Sequence, residues 1–157
     1  MAATAPATDP HAGTLPRGCT NFKLRQLLRQ VARLYDGEFA KAGLKGTQYS
    51  LLSQILTHGP IQPNDLARRM GMDASTLTRN LRVLMSSGWA AQHAGADERS
   101  RVVEITAAGR AKQVEARRHW KKAQGALMDA LGIEQLKGLH AVIDASLERL
   151  AETADAA

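Results

Sequence analysis

Hydrophobic residues recur every three or four positions near both ends of the chain, a spacing that places them on one face of an α-helix. The first such segment runs from Thr20 to about Gly43, with apolar residues at Leu24, Leu27, Leu28, Val31, Leu34, Tyr35 and Phe39. The last runs to about Glu152, with a near-heptad stripe of Leu136, Leu139, Ile143, Leu147 and Leu150. We therefore predict an amphipathic helix at each end.

Two further helices are predicted from their caps and apolar faces. Thr47 is a suitable cap for a helix that ends at the turn sequence His58-Gly59-Pro60. Thr106 is a suitable cap for a longer, more polar helix that reaches Leu131, with Gly109 allowing close packing at its start. The apolar positions of this longer helix are Val114, Trp120, Leu127 and Leu131.

Between these helices the pattern predicts a helix-turn-helix. A short helix from about Pro63 to Met70 is followed by the break Gly71-Met72-Asp73, and Asp73 or Ser75 can cap a helix over Ala74–Ser87. The inward face of this second helix is Leu77, Leu81 and Leu84. Its outer face carries Ser75, Thr76, Thr78, Arg79, Asn80 and Arg82. Hydroxyls, an amide and guanidinium groups on one exposed helix face suit the major groove of DNA, although a solvated surface helix has the same pattern.

After Gly88 the hydrophobic period no longer fits a helix. Trp89–His93 and Arg101–Ile105 are predicted to be two short strands, joined by a polar loop, Ala94–Ser100, that contains Gly95. A hairpin directly after such a helix is typical of a wing. Its tip carries Asp97, Glu98, Arg99 and Arg101, so that Arg99 would reach toward a minor groove while Asp97 stiffens the loop.

Composition and charge agree with one domain that has an anionic partner. The chain has 157 residues, of which 4% are aromatic and 44% hydrophobic, which favours an aliphatic, mostly helical core. Its net charge of +6 makes a polyanionic partner plausible. Charge alone does not separate a nucleic acid from a membrane surface or an acidic protein.

The remaining composition favours a cytoplasmic, non-catalytic protein. The one cysteine, Cys19, excludes an internal disulfide framework, and no apolar run approaches the roughly 20 residues that cross a bilayer. Met1–Gly18 has no hydrophobic centre and is expected to be a flexible tail. The histidines have no metal-ligand spacing, and no phosphate loop or catalytic motif occurs, so we expect no enzyme, no cofactor and no metal site.

One stretch resembles the MarR family of transcriptional regulators. Asp97-Glu98-Arg99-Ser100-Arg101-Val102-Val103-Glu104-Ile105-Thr106-Ala107-Ala108-Gly109 looks like that family's wing signature. Leu66-Ala67, Asp73, Ser75, Thr78-Arg79, Leu81, Leu84, Ser87-Gly88-Trp89, Gly43-Leu44 and Thr47-Gln48 match it upstream. The similarity spans about Cys19 to Glu152. The segment Trp89-Ala90-Ala91-Gln92-His93 departs from the family, which usually has Leu-Val or Leu-Ile and then a basic residue.

The resemblance implies a mostly α fold with a small β-wing, a winged helix-turn-helix flanked by N- and C-terminal dimerisation helices. After a tail at residues 1–18, residues 19–157 would form one domain, with dimerisation helices at 19–45 and 107–153 and the winged helix-turn-helix at 46–106. It also implies a homodimer that binds a palindromic operator in double-stranded DNA. The expected DNA-binding residues are Thr47, Gln48, Ser75, Thr76, Thr78, Arg79, Arg82, Asp97, Arg99 and Arg101.

Regulation follows from the same resemblance, as an expectation. Members of the family commonly repress their targets until a small, often aromatic, anionic effector binds between the dimer helices and the DNA-binding part. The candidate effector-binding residues are Cys19, Asn21, Arg25, Tyr49 and His58. Each has a structural alternative: Tyr49 as core, His58 as a helix-end cap and Arg25 as a dimer ion pair. Two other functions stay open, a thiol-based redox sensor through Cys19 and an architectural DNA-binding protein without an effector.

Overall fold

The computed structural model describes residues 17–95 and 100–155. A long helix α1, Thr20–Phe39, ends in a 3-10 turn at Ala40–Ala42. It is followed by helices α2 (Gly46–His58), α3 (Pro63–Met70) and α4 (Ala74–Ser86), strands β1 (Ala90–Ala94) and β2 (Arg101–Ile105), and helices α5 (Ala107–Leu131) and α6 (Ile133–Asp155). The predicted fold class, mostly α with one small hairpin, is confirmed.

The hairpin is antiparallel, with Ala90 opposite Ile105 and Ala94 opposite Arg101. The first strand begins one residue later than predicted, because the Trp89 N–H is used to close the end of α4 by donating to the Leu84 carbonyl at 2.9 Å. The second strand has the predicted bounds. The predicted wing-tip residues Asp97 and Arg99 lie outside the described residues, as does the predicted tail up to Pro16.

The core is mainly aliphatic and lies between α2, α3, α4 and the hairpin, with Phe39 of α1 and Ala116 of α5 packed into it. The side chains that are almost wholly buried include Leu51, Leu52, Ile55, Leu66, Leu77, Leu84 and Val103. The predicted inward face of α4, Leu77, Leu81 and Leu84, is confirmed. Ile61 exchanges two backbone hydrogen bonds with Val103, at 2.8 and 3.0 Å, which ties the chain between α2 and α3 to the second strand. The helix-turn-helix and the hairpin therefore share one core.

The predicted cap of α2 was wrong. The helix begins at Gly46 with Lys45 as its N-cap, which leaves Thr47 inside the first turn. The Gln48 side chain accepts a hydrogen bond from the Lys45 N–H at 2.8 Å, which satisfies a backbone donor ahead of the helix. This polar residue three positions after the cap fixes the start of the helix in place of the Thr47 hydroxyl.

The predicted apolar face of α5 was wrong at Val114, whose side chain is 55% exposed. The buried positions of this helix are Gly109, Gln113, Ala116 and Ala123. Small residues allow α5 to lie close to its neighbours, and a side chain at Gly109 would place its Cβ 1.9 Å from the Trp89 carbonyl oxygen. Backbone proximity, rather than large apolar side chains, therefore determines which face of α5 is covered.

The outer helices α1 and α6 are amphipathic as predicted, but much of their apolar surface is exposed. Leu28 is 66% exposed and Leu147 is 62% exposed, whereas Leu136 on α6 is buried. No helix in residues 17–95 and 100–155 has the length and hydropathy needed to cross a membrane.

Candidate nucleic-acid interface

The break between α3 and α4 is a three-residue turn with one left-handed position. Gly71 has φ +59° and ψ +33° and closes α3, with its N–H directed to the carbonyls of Ala67 and Arg68. The Met72 N–H also donates to the Ala67 carbonyl, at 3.0 Å. A glycine adopts this left-handed conformation at little cost, and the chain can then enter α4 directly. The helix-turn-helix predicted from Pro63 to Ser87 is thus formed, with Ser87 just beyond the last helical residue.

Asp73 is the cap of α4 and accepts three hydrogen bonds from the first turn. Its Oδ1 accepts from the Thr76 N–H at 2.7 Å and from the Ser75 hydroxyl at 2.6 Å, and its Oδ2 accepts from the Thr76 hydroxyl at 2.8 Å. These bonds hold the pKa of Asp73 well below its usual range, and the bond from the Ser75 hydroxyl contributes most to this lowering. Asp73 therefore stays ionised while it orders the first turn.

The outward face of α4 carries the predicted residues, but they differ in solvent exposure. Ser75, Thr78, Arg79 and Arg82 are exposed and, with Ala74, line a shallow depression of about 410 Å³. Two others, Thr76 and Asn80, are half-buried. The Asn80 amide donates to the Thr76 carbonyl at 2.9 Å, and the Thr78 hydroxyl donates to the Ala74 carbonyl at 2.7 Å.

Arg79 and Arg82 supply the charge of this face. Neither forms an ion pair with any residue in the described part of the chain. They are three positions apart, so that both guanidinium groups project from the same side of α4. A guanidinium can bind guanine or phosphate through two parallel hydrogen bonds.

The base of the hairpin is fixed to the end of α4 and to the start of α5. The Thr106 hydroxyl donates to the Gly88 carbonyl at 2.6 Å and accepts from the Gly109 N–H at 3.0 Å, which confirms Thr106 as the cap of α5. At the other end of the hairpin, the Gly95 N–H donates to the Ser100 carbonyl at 2.9 Å. Arg101 is exposed at the first position of the second strand.

Thr47 and Gln48 lie in the first turn of α2. Thr47 is exposed and lines a cavity of about 350 Å³, whereas the Gln48 side chain is engaged with the Lys45 backbone. Of the residues predicted to bind DNA, Ser75, Thr78, Arg79 and Arg82 are brought together on one surface. Thr47 and Gln48 lie on a separate helix, and Asp97 and Arg99 lie outside the described residues.

The five candidate effector residues do not converge on one cavity. Arg25 lies in an apolar groove of about 630 Å³ between α1, α5 and α6, where its Nε donates to the Asn21 side chain at 3.1 Å. Tyr49 lines the cavity of about 350 Å³ between α1, α2 and α5. His58 lines an open cleft of about 840 Å³ beside α3. Cys19 is exposed at the N-cap of α1.

Sequence reasoning did not single out the basic residues of the cleft at His58. Arg68 and Arg69 are exposed there, and Arg68 is paired with Asp65. The available signal was a pair of consecutive arginines in the last turn of α3, a position that also complements the helix dipole. No group of three or more His, Cys, Asp or Glu side chains suited to a metal ion occurs among the residues that the structure covers.

Comparisons with known proteins agree with this geometry. A family described as the MarR family matches residues 42–100. The Mycobacterium tuberculosis transcriptional regulator MosR, solved in complex with DNA, is 31% identical over 85% of this chain and 98% of that one, with a TM-score of 0.71. A probable transcriptional regulator from Pseudomonas aeruginosa is 25% identical over 80% of this chain and 94% of that one, with a TM-score of 0.74.

A curated relative is also matched, over a shorter span. The HTH-type transcriptional regulator YwoH of Bacillus subtilis is 27% identical over 84 residues, 54% of this chain. The match spans 61% of the length of that relative. The matched proteins are transcriptional regulators and not enzymes.

Proposed function

This chain belongs to the MarR family of transcriptional regulators, and from that premise we propose that it binds a palindromic operator in double-stranded DNA as a homodimer and represses transcription until a small ligand releases it. One observation carries the proposal: the exposed face of α4 presents hydroxyls and two guanidinium groups that form no ion pair with the described residues, on a helix fixed by its cap and by its buried leucines. Such a helix has the residue types that bind base edges in the major groove. The relative at 31% identity was solved with DNA, which supports the same use of the fold here.

The DNA contacts divide by chemistry into base contacts and phosphate contacts. Ser75, Thr76, Thr78 and Arg79 are proposed to contact bases, because they lie in the first two turns of α4. Arg82, one turn further along, is proposed to contact phosphate, with Thr47 or Gln48. At the hairpin, Arg101 is proposed to contact the backbone beside a minor groove, and the earlier predictions for Asp97 and Arg99 stand as proposals.

The homodimer is supported by the open apolar surface of the outer helices. Exposed large hydrophobic residues on α1 are Phe22, Leu24, Leu27 and Leu28, and those on α6 are Ile133, Val142, Ile143, Leu147 and Leu150. Single protomers rarely leave such a contiguous apolar surface in water. A second copy related by a two-fold axis covers both helices at once, and it places two α4 helices for half-sites about one helical turn of DNA apart.

The ligand is proposed to bind in the cavity at Tyr49, between α1, α2 and α5 on one side and the turn before α4 on the other. Its aromatic lining is Tyr35, Phe39, Tyr49 and Trp120, and the other side is lined by Met70, the last residue of α3, and Met72, within the turn before α4. A ligand that separates these two walls would shift α4 relative to α1. The one charged residue of the lining is Asp36, so this cavity favours an aromatic ligand without a carboxylate. An aromatic acid is better matched by Arg25 in the groove between α1 and α6.

The proposed function is tested by titrating the protein against genomic DNA fragments at fixed salt. A regulator should bind a few fragments about a thousandfold or more tightly than the rest, and those fragments should contain an inverted repeat. Uniform weak binding would instead support an architectural protein. If treatment of the complex with peroxide released the DNA from the wild type but not from Cys19→Ser, a thiol sensor would replace the ligand as the proposed signal.

A further inference from the structure

The three hydroxyl groups at the start of α4 have already used their protons within the protein. The Ser75 hydroxyl donates to Asp73 Oδ1 and the Thr76 hydroxyl to Asp73 Oδ2. The Thr78 hydroxyl donates to the Ala74 carbonyl. A hydroxyl has one proton and two lone pairs, so each of these groups can offer a ligand only an acceptor.

We expect the two bonds to Asp73 to persist when DNA binds. Both have an ionised acceptor and lengths of 2.6 and 2.8 Å, and charge-assisted bonds of this kind are roughly twice as strong as neutral ones. The Thr76 N–H holds the carboxylate in place from a third direction. A hydroxyl that donates to a carboxylate is also polarised, which strengthens its oxygen as an acceptor.

The arginines on the same face have the opposite property. A guanidinium has five N–H donors and no acceptor, and Arg79 and Arg82 are exposed. The surface therefore has hydroxyl acceptors at Ser75, Thr76 and Thr78, toward the start of the helix, and guanidinium donors at Arg79 and Arg82, further along it. DNA also offers separate donors and acceptors. In the major groove cytosine N4 and adenine N6 donate hydrogen bonds, whereas guanine N7 and O6, thymine O4 and the phosphate oxygens accept them.

We propose that Asp73 determines the base preference of α4 by taking the protons of Ser75 and Thr76, so that these hydroxyls bind the exocyclic amino groups of cytosine or adenine and not guanine, thymine or phosphate. Asp73 itself is a positioning residue and contacts no base. The inference rests on the proposed function, since it assumes that this face of α4 enters a major groove. It adds that each half-site places an amino group opposite the start of α4, beside an acceptor for Arg79.

The first test removes single amino groups from DNA. Duplexes bound by the wild type are selected from a random pool, and each cytosine or adenine of the half-site is replaced in turn by 2-pyrimidinone or purine, which lack the amino group. We expect at least one replacement to weaken the wild type about five- to tenfold. The same replacement should have no effect on Ser75→Ala, while Ser75→Thr, which keeps the hydroxyl, should retain the loss.

The matched control is Ser86→Ala at the far end of the same helix. The Ser86 hydroxyl donates to the Val83 carbonyl at 3.0 Å and lies outside the proposed contact surface. This variant should respond to every amino-group replacement as the wild type does. A general loss of helix stability would instead change both serine variants alike.

The second test reverses the polarity of one hydroxyl. Asp73→Asn keeps an oxygen for the Thr76 N–H and remains a good cap, but places an amide nitrogen against the Thr76 hydroxyl. That nitrogen donates to the hydroxyl and frees its proton. Repeated selection should then show a shift at one base pair toward guanine or thymine, while the pair opposite Ser75 keeps its preference. Thr76→Val should lose the preference at the same pair.

The outcomes separate the inference from the function beneath it. If selected duplexes bind tightly but no amino-group replacement is coupled to Ser75 or Thr76, or if Asp73→Asn selects the same sequence as the wild type, the inference is overturned and the proposed function stands. If the wild type selects no sequence at all, the proposed function fails and the inference fails with it.

Discussion

The helix-turn-helix unit, residues 63–105, and the outer helices α1 and α6 bury their hydrophobic residues in different ways. In the first, leucines from α3 and α4 and Val103 from the hairpin are almost wholly buried within one chain. In the second, leucines of similar helical spacing remain mostly exposed. The same helical periodicity therefore corresponds to buried leucines in one region and to solvent-exposed leucines in the other. One chain thus buries the leucines beneath the candidate DNA-binding surface, whereas the exposed apolar residues of α1 and α6 are where we propose that a second copy packs.

The largest expected effect is a loss of stability when a buried leucine of the helix-turn-helix unit is truncated. Leu84→Ala removes a fully buried side chain and should lower the free energy of unfolding by about 2–5 kcal/mol. Because the lost contacts lie within one chain, the loss should be the same at every protein concentration. Chemical denaturation at two concentrations measures it, and a loss that grew on dilution would place Leu84 at an interface.

A charged residue introduced on the exposed apolar face of α6 should weaken the proposed dimer without unfolding the protomer. Leu147→Asp should weaken the dimer by about 3 kcal/mol or more, because an unpaired carboxylate would be buried against the partner. Sedimentation should show a shift to monomer, with operator affinity falling in parallel. Val114→Asp is the control, since Val114 is comparably exposed on α5 outside the groove at Arg25. Equal effects of the two variants would argue against this interface.

Two arginine variants separate base contacts from phosphate contacts. Arg79→Ala should cost about 1–3 kcal/mol on the preferred site and relax the preference at one base pair. Its affinity for unrelated sequences should change little. Competition binding against single-base variants of the operator measures this, and a uniform loss on all sequences would assign Arg79 to the backbone.

Arg82→Ala should have the smaller effect on discrimination. It should weaken all sequences alike and reduce the slope of log affinity against log salt by about 1 per protomer. Titrations at several salt concentrations provide the slope. If the slope is unchanged while specificity falls, the roles of Arg79 and Arg82 are reversed.

The smallest effect concerns the pH dependence of the cap. Because the pKa of Asp73 is held below its ordinary value, its contribution to stability is fully present above that ordinary value and is lost as the pH falls through the folded-state value. The stability difference between wild type and Asp73→Asn should therefore be constant from about pH 8 to about pH 5 and narrow in stronger acid. A difference that changed near neutral pH would mean that another group titrates at the cap.

The sequence by itself determined the elements whose causes are local. Pro63, Gly71 and Asp73 fix the bounds of α3 and the start of α4, and Thr106 with Gly109 fixes the start of α5, because turns and caps depend on residues a few positions apart. The inward face of α4 followed from its period for the same reason. The family resemblance added the fold that joins these elements.

Only the tertiary structure decided what depends on groups distant in the chain or on the direction of a proton. Val114 is exposed because the small residues of α5 form the face that packs against its neighbours. Arg25, Tyr49 and His58 lie in three different cavities. The tertiary structure also placed the hydroxyls at the start of α4 within hydrogen-bond distance of the Asp73 carboxylate and the Ala74 carbonyl, to which they donate. A sequence lists the groups that can bond, but the choice among competing partners is made by their positions in space.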